Sequence, residues 1–214
     1  MKLASINIAK KEKLNMPNRV VYTGIYKQPS LFDKVHISKM GVDGDVIADK
    51  KVHGGLDQAI YIYGLEDYDW WSQQLDKPIL PGTFGENLTI SDFNRHEFSL
   101  GDRLKINDVV LEISAPRTPC AVLAARMGDP DFIKKFVAAE RSGAYARVIV
   151  EGDIEVGADV SLLKTEQDYP SIREVFVEWH LKRRSRDILR RALAAPLSGY
   201  HREKIQKWYD GGVD

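Results

Sequence analysis

The sequence predicts a mainly β protein with inserted helices, followed by a small helical domain. Short runs of β-branched and aromatic residues recur over residues 1–164, separated by glycine and proline turns. Stretches with helical periodicity are few in that part. From about residue 165 no strand pattern remains, and three short helical stretches follow. We therefore expect a β-barrel or sandwich-like domain over residues 1–164 and a three-helix domain over residues 165–214.

The composition is that of an ordinary soluble globular protein, with 43% hydrophobic and 29% charged residues among 214. Basic and acidic residues number 31 each, so net charge indicates neither nucleic-acid nor membrane binding. Residues 1–9 are too short and interrupted for a signal peptide, and no apolar run approaches the roughly 20 residues that span a bilayer. The single cysteine excludes an internal disulfide, so we expect a cytoplasmic protein.

In the first half of the chain, alternating apolar residues predict five strands and helical spacing predicts one helix. The helix is expected over Leu65–Leu75, where Tyr68 and Trp71 share its apolar face. Residues 10–18 are expected to be a polar connection and residues 41–45 a loop. The predicted strands cover residues 3–8, 19–26, 31–37, 58–63 and the end of 84–90.

Turn and cap residues define the elements of the second half. Asn107 and Asp108 predict a hairpin between strands at residues 103–106 and 109–113. Asp129, followed by a proline, predicts the start of a helix that ends at a Ser-Gly pair. Further strands are expected over residues 144–150 and 159–163, with glycine turns between them.

Three serines predict the starts of the helices in the tail. Ser171 and Glu174 have the spacing of a capping box for a helix over residues 172–181. Ser185 is expected to cap residues 186–194, and Ser198 a third helix that ends at Trp208. The basic run at the start of the second helix has no interleaved aromatic residues, so we interpret it as a solvated face and expect no nucleic-acid partner.

Residues 114–121 read Ser-Ala-Pro-Arg-Thr-Pro-Cys-Ala and hold Cys120, the one cysteine of the chain. A strand-like run leads into this stretch. Because Pro119 suits the first turn of a helix, we expect Cys120 at a helix N-terminus, with Arg117 three residues upstream. These surroundings favour the thiolate, which is both a nucleophile and a metal ligand. The alternative is a buried, unreactive thiol.

A second candidate motif places His53 between two lysines and two glycines. Gly54 and Gly55 let backbone N–H groups approach an oxyanion closely, and Lys51 adds positive charge. The histidine can move a proton near neutral pH. The alternative is a surface hairpin loop. The nearby aspartates, including Asp45, match no calcium-binding loop, and we expect them to cap turns.

Other polar residues are expected at strand ends. Glu86 and Asn87 can present a carboxylate and an amide at a strand entry, or can satisfy the local backbone. Lys27, Arg117 and Arg147 can converge at one mouth of a barrel, where an arginine fork suits a phosphate or carboxylate. Taken singly, each of these basic residues is better explained as a surface charge.

Four short motifs stand in a fixed order, at residues 41–45 with 52–57, 81–88, 100–102 and 116–120. They read Gly-Val-Asp-Gly-Asp with Val-His-Gly-Gly-Leu-Asp, Pro-Gly-Thr-Phe-Gly-Glu-Asn-Leu, Leu-Gly-Asp and Pro-Arg-Thr-Pro-Cys. As an ordered set they resemble the MOSC-domain family, a domain shared with the C-termini of molybdenum cofactor sulfurases. The tail resembles the three-helix domain that follows MOSC in YiiM-type proteins.

The resemblance implies a MOSC-type β-barrel that binds a molybdopterin-type molybdenum cofactor. Cys120 matches the family's cysteine and is implied as the metal ligand, and His53 matches a histidine of the same pocket. Pyridoxal phosphate binding also belongs to the usual description of the family. The implied cofactor contacts are Lys27, Asp45, Lys51, Gly54, Gly55, Glu86, Asn87, Arg117 and Arg147.

YiiM-type proteins are associated with the removal of N-hydroxylated base analogues such as hydroxylaminopurine. This association implies reductive cleavage of an N–O bond. Because the chain has no flavin, haem or iron–sulfur motif, a separate flavoprotein is the implied electron donor. We expect no membrane partner, a homodimer is compatible with the aromatic tail, and a recombinant sample can lack the labile cofactor.

Three other functions stay open at this point. In the first, the chain is a carrier or binding module in which Cys120 holds cofactor or sulfur without turnover. In the second, it is a hydrolase with Cys120 as nucleophile and His53 as base. In the third, it is a structural domain with an unreactive thiol.

Overall fold

A computed structural model describes residues 1–16, 19–46 and 55–211. Within these ranges the chain forms a strand-rich body with helices inserted between strands, so the predicted mainly β class with helices is confirmed. The strands are β1 Leu3–Ile8, β2 Glu12–Met16, β3 Arg19–Thr23, β4 Gln28–Pro29, β5 Lys34–Ser38, β6 Gly41–Val42, β7 Ile60–Gly64, β8 Leu88–Ile90, β9 Arg103–Ile106, β10 Val109–Pro116, β11 Ala144–Val150, β12 Gly152–Glu155 and β13 Val160–Leu163. The helices are α1 Leu65–Leu75, α2 Ala121–Met127, α3 Phe132–Ala139, α4 Ile172–His180, α5 Arg186–Ala194 and α6 Gly199–Tyr209.

The main sheet has eight strands in the order β13-β9-β10-β11-β7-β8-β1-β4. All of its neighbours are antiparallel except β7 and β8, which run parallel because α1 and the following loop form the crossover between them. A three-stranded sheet, β12-β5-β6, and the separate β2–β3 hairpin complete the strands of the described residues. This order places the ends of β7, β8 and β10 on one side of the molecule, where the candidate site forms.

The sequence predicted a closed barrel, but the described strands of the main sheet do not form a closed ring of hydrogen-bonded pairs. The main sheet is open in its strand pairing, with β4 and β13 at its edges. One bridge between Lys2 and Asp159 and a backbone hydrogen bond of 3.0 Å from Leu3 N–H to Ala158 C=O bring its two ends together. Two further backbone hydrogen bonds belong to the same contact, from Gly157 N–H to Leu3 C=O at 2.7 Å and from Val160 N–H to Met1 C=O at 3.0 Å. Because the contact covers only the first residues of β1 and β13, the architecture is a strongly curved sheet rather than a complete barrel.

Four strands were missed. β4 and β6, the latter in the predicted loop of residues 41–45, are only two residues long. β2 and β12 were missed because each buries very little apolar surface. Residues 10–18, which the sequence predicted as a connection, contain β2, where Leu14 is the one fully buried residue. Residues around the predicted glycine turn at Gly152 form β12, which pairs with β5 and buries Ile154. Strands with so few buried residues lack the alternating pattern by which a strand is recognised.

The caps of the predicted helices are mostly in place. Ser171 and Glu174 form the capping box of α4, and the hydroxyl of Ser185 accepts from the third amide of α5. The predicted cap of α3 was wrong by two residues. Asp131 is its N-cap, and Asp129 instead accepts the Asp131 N–H through its carboxylate at 2.9 Å.

The three helices of the tail pack on the sheet rather than standing apart from it. Val175 of α4, Leu189 of α5 and Ile205 of α6 belong to the same hydrophobic cluster as the inner residues of the strands. A backbone hydrogen bond of 2.7 Å from Ile172 N–H to Phe98 C=O adds to this contact. The division into domains at residues 164 and 165 stays a prediction, since the tail and the sheet share one core.

Candidate functional site

The candidate site begins where β10 ends and α2 starts. Cys120 is the N-cap of α2 and has extended backbone geometry, and its carbonyl accepts from Leu123 N–H at 3.0 Å. Its side chain is half-buried and packs against an aromatic cluster. The predicted strand-to-helix junction is therefore present, although Pro119 precedes the cap instead of lying in the first turn.

Arg117 is a buried cation beside this junction. Only 4% of the residue is exposed, and its guanidinium lies over the rings of Tyr61 at 5.5 Å and Phe136 at 5.6 Å. One guanidinium nitrogen, Nη1, is buried without a hydrogen-bond partner among the described residues. No described carboxylate forms an ion pair with Arg117. Because a buried charge is costly unless it is paired, this arrangement points to an anionic group that completes the site.

Lys27 and Asp45 lie in the same part of the molecule and neutralise each other. The Lys27 ammonium donates to Asp45 Oδ2 in a buried ion pair. Asp45 Oδ2 also accepts from Asn87 Nδ2 at 2.8 Å, and Oδ1 accepts from Ala9 N–H at 2.8 Å. Burial lowers the pKa of Lys27, and the Asp45 carboxylate opposes that shift. The predicted residues Lys27, Asp45 and Asn87 are thus brought together as one network.

Glu86 is the fully buried carboxyl of the site. Its Oε1 accepts from the Tyr68 hydroxyl, from Gly82 N–H, from the Thr89 hydroxyl at 3.1 Å and from Asn7 Nδ2 at 3.2 Å. Its Oε2 has no hydrogen-bond partner among the residues that the structure describes. Burial raises the pKa of Glu86, while its hydrogen-bond donors oppose that shift. Glu86 therefore orders the loop of residues 82–86 from inside.

Tyr61 connects the two parts of the site. Its ring lies against Arg117, and its backbone N–H donates to Asn87 Oδ1 at 3.1 Å. Asn87 N–H in turn donates to Tyr61 C=O at 2.8 Å. Burial raises the pKa of the Tyr61 phenol well above its usual range, so the ring stays neutral beside the guanidinium. The motif residues of β8 and of the β10–α2 junction are thereby held on either side of one strand, β7.

Arg126 is a further basic residue near these groups that the sequence analysis did not single out. Its Nε donates to Thr83 C=O at 2.7 Å, and its guanidinium lies 4.6 Å from the ring of Tyr26. Gly82, at the start of the same loop, has φ +88° and approaches the Lys27 carbonyl so closely that a Cβ would overlap it. Arg126 lies in the last turn of a short apolar helix, where a basic residue is usually a simple helix-end charge.

The remaining predicted residues fall elsewhere or outside the described ranges. Arg147 lies away from the Lys27 network and pairs with Asp57 at 3.0 Å and Glu112 at 3.2 Å. Gly55 starts the short 3₁₀ turn Leu56–Gln58 with φ 78°. His53, Lys51 and Gly54 lie outside the described residues.

The described aspartates of the glycine-rich region are directed at different partners. Asp45 binds Lys27, and Asp57 binds Arg147. No group of three or more histidine, cysteine or acidic side chains in the described ranges is arranged to hold a metal ion. Among the described residues, the site therefore offers one soft thiol and a buried arginine without a carboxylate partner.

Comparison with known proteins identifies the family. The model of the MOSC domain matches residues 49–161. The chain belongs to the MOSC family. It is 33% identical to the uncharacterized protein YflK of Bacillus subtilis over 74% of this chain and 72% of that protein. It is also 36% identical to a reductase of Gibberella moniliformis, over 70% of this chain and 27% of the longer fungal protein.

The similarity to solved MOSC structures extends through the helical tail. The crystal structure of YiiM from Geobacillus stearothermophilus superposes with a TM-score of 0.80 at 29% sequence identity. That match covers 97% of this chain and 98% of the other. The MOSC resemblance predicted from the four motifs is confirmed, as is the likeness to YiiM. No helix of the described ranges is long and apolar enough to cross a membrane.

Proposed function

We propose that this MOSC protein binds a molybdenum cofactor of the molybdopterin type and reduces N-hydroxylated compounds. The observation that carries the proposal is the buried Arg117 guanidinium beside a half-buried cysteine, with one nitrogen that has no hydrogen-bond partner among the described residues. An arginine in this state suits an anionic group, and a thiolate is a preferred ligand of soft metal centres. A phosphate-bearing metal cofactor offers both groups in one molecule.

The residues of the site fit such a cofactor in their chemistry. Cys120 would hold the metal through its thiolate, and Arg117 would bind an anionic group of the cofactor. Arg126, which is half-buried and held by backbone carbonyls instead of a carboxylate, would add positive charge on the other side of α2. Lys27 would contribute little net charge, because Asp45 neutralises it.

The reaction would convert a hydroxylamine, R–NHOH, into the amine R–NH₂ and water. The N–O bond breaks, a new N–H bond forms, and the conversion consumes two electrons and two protons. When bound, the molybdenum centre supplies the two-electron redox change. A separate flavoprotein would deliver the electrons. We assign His53 the role of proton donor to the departing oxygen, because a histidine imidazole can move a proton near neutral pH.

Pyridoxal phosphate, by contrast, does not fit the described lysine of this site. Its chemistry requires a lysine amine that forms an imine. The Lys27 ammonium is engaged by Asp45 and is buried, so it is not available for an imine. We derive no step through that cofactor.

The proposal is tested by following hydroxylaminopurine reduction with protein made in a host that synthesises the cofactor. Dithionite as reductant removes the need for the protein partner. We expect stoichiometric formation of the amine by the wild-type chain and none by Cys120→Ala. If the wild-type chain holds molybdenum but gives no amine with several hydroxylamines, the protein is a cofactor carrier and not a reductase.

A further inference from the structure

The strand that leads to Cys120 contains a β-bulge at Ser114. The register of β10 against β11 shifts between Ile113 and Ala115, so Ser114 has no directly opposite partner in β11. Ser114 is fully buried, and its hydroxyl donates to the carbonyls of Asp57 and, at 3.2 Å, Tyr145. A bulge bends its strand and redirects the residues that follow. Here those residues include Arg117 and Cys120.

The start of α6 is in direct contact with this bulge. Ser198 N–H donates to Ser114 C=O at 3.0 Å, which satisfies the carbonyl that the bulge exposes. Ser198 is 1% exposed and is the N-cap of α6, yet its hydroxyl makes no capping bond. The hydroxyl instead lies 2.8 Å from His201 Nδ1 and 3.3 Å from Gln58 Nε2. Through Gln58, the Ser198 hydroxyl therefore links the start of α6 to the turn Leu56–Gln58.

Asp57 joins the same helix end to the sheet. Its Oδ2 accepts from Gly199 N–H, the first amide of α6, at 3.0 Å. Its Oδ1 pairs with Arg147 at 3.0 Å, and Arg147 also donates to Pro196 C=O at 2.8 Å. A carboxylate at the first amide of a helix is favoured by the partial positive charge there. Asp57 therefore connects the turn after Gly55, the bulge and the tail at one point.

We propose that Asp57 and the N-terminal end of α6 position the β10 bulge and, through it, the Arg117–Cys120 segment. The tail is then part of the machinery that holds the candidate site, and Arg147 acts on the site through Asp57 rather than by touching a cofactor. The importance of this positioning rests on the proposed role of Cys120. The contacts themselves are independent of what Cys120 binds.

The experiment compares the cofactor-free chain with Asp57→Ala and Asp57→Asn. We expect Asp57→Ala to speed amide hydrogen exchange at residues 114–124 about tenfold, because the carboxylate that holds the start of α6 against the bulge is lost. Alkylation of the half-buried Cys120 thiol by iodoacetamide at a fixed neutral pH should rise severalfold for the same reason. Asp57→Asn keeps an acceptor for Gly199 N–H, so it should recover more than half of both effects.

The matched control is Asp187→Asn, which breaks an exposed ion pair with Arg190 in the same tail. It should leave both readouts at the wild-type level. If Asp57→Ala does not fold, Asp57→Asn decides the matter: a small rise confined to residues 114–124 supports the proposal. Exchange and alkylation that match the control in every folded Asp57 variant overturn it. No molybdenum or substrate is used, so failure of the proposed function would not change this result.

Discussion

Lys27 and Asp45 form an ion pair inside the protein, with 6% and 4% of the two side chains exposed. The pair accounts for the buried lysine that the described part of the candidate site contains and removes its net charge. It leaves Arg117 as the buried cation without a carboxylate among the described residues. The buried positive charge that an anion can neutralise therefore lies next to Cys120 and not at Lys27.

Removal of one member of this pair should be strongly destabilising. Asp45→Asn leaves the Lys27 ammonium buried without a counter-charge, which costs roughly 3–5 kcal/mol. The double variant Lys27→Met with Asp45→Leu should recover most of that loss, because no buried charge remains. Urea unfolding measures both. An unfolding free energy of Asp45→Asn within about 1 kcal/mol of the wild-type value would contradict a stabilising ion pair.

Arg117 should show the opposite effect on stability. Arg117→Met removes a buried, unneutralised charge and keeps much of the contact with Tyr61 and Phe136. We expect the cofactor-free chain to gain about 1 kcal/mol of unfolding free energy while molybdenum binding is lost, as is usual where a site is held at a cost to stability. A loss of stability larger than that of Arg126→Met, the control, would show that Arg117 is structural.

His53 provides a separate test of the proposed proton transfer. We expect His53→Ala to lower the turnover of a hydroxylamine by about 10²–10⁴-fold, the range typical of a lost general acid. Molybdenum content should stay near the wild-type level, since the thiolate remains. Parallel loss of metal and activity would mean that His53 holds the cofactor instead of delivering a proton.

His201 should make stability depend on pH. Burial lowers the pKa of His201 from 6.5 to about 3, so the folded chain keeps it neutral where the unfolded chain takes up a proton. The contribution of neutral His201 to the unfolding free energy is complete above pH 6.5 and is lost as the pH falls toward 3. At about 1.4 kcal/mol per pH unit, the wild type should lose about 2 kcal/mol relative to His201→Gln between pH 6.5 and about 5. Parallel pH profiles of the two proteins would contradict this.

The sequence predicted those parts of the fold that carry a local signal. The cap serines Ser171 and Ser185 stand directly before apolar helical spacing, so their helices were placed almost to the residue. β12 was missed because its pairing with the distant strand β5 stabilises it, not its own pattern. β2 was missed because its hairpin with β3 buries only Leu14 of its own residues.

The candidate site, like the fold, could be predicted from the sequence only in part. Cys120, Asn87 and Arg117 lie in motifs whose order is visible in the chain. The sequence does not show the charge partners or surroundings of these groups. Asp45 neutralises Lys27, and Arg117 lies against aromatic rings, through contacts between segments that are distant in the chain. Arg147 was expected at the site because its predicted strand follows the Cys120 helices in the sequence, yet its partners are Asp57 and Glu112.

The central claim is that Cys120 holds molybdenum in a pocket completed by Arg117. The most direct measurement is the molybdenum content of the wild type and of Cys120→Ala, by elemental mass spectrometry, with both proteins made in a cofactor-synthesising host. The account predicts nearly one molybdenum per wild-type chain and none in the variant. Equal metal content in the two proteins, or no molybdenum in either one, would contradict it.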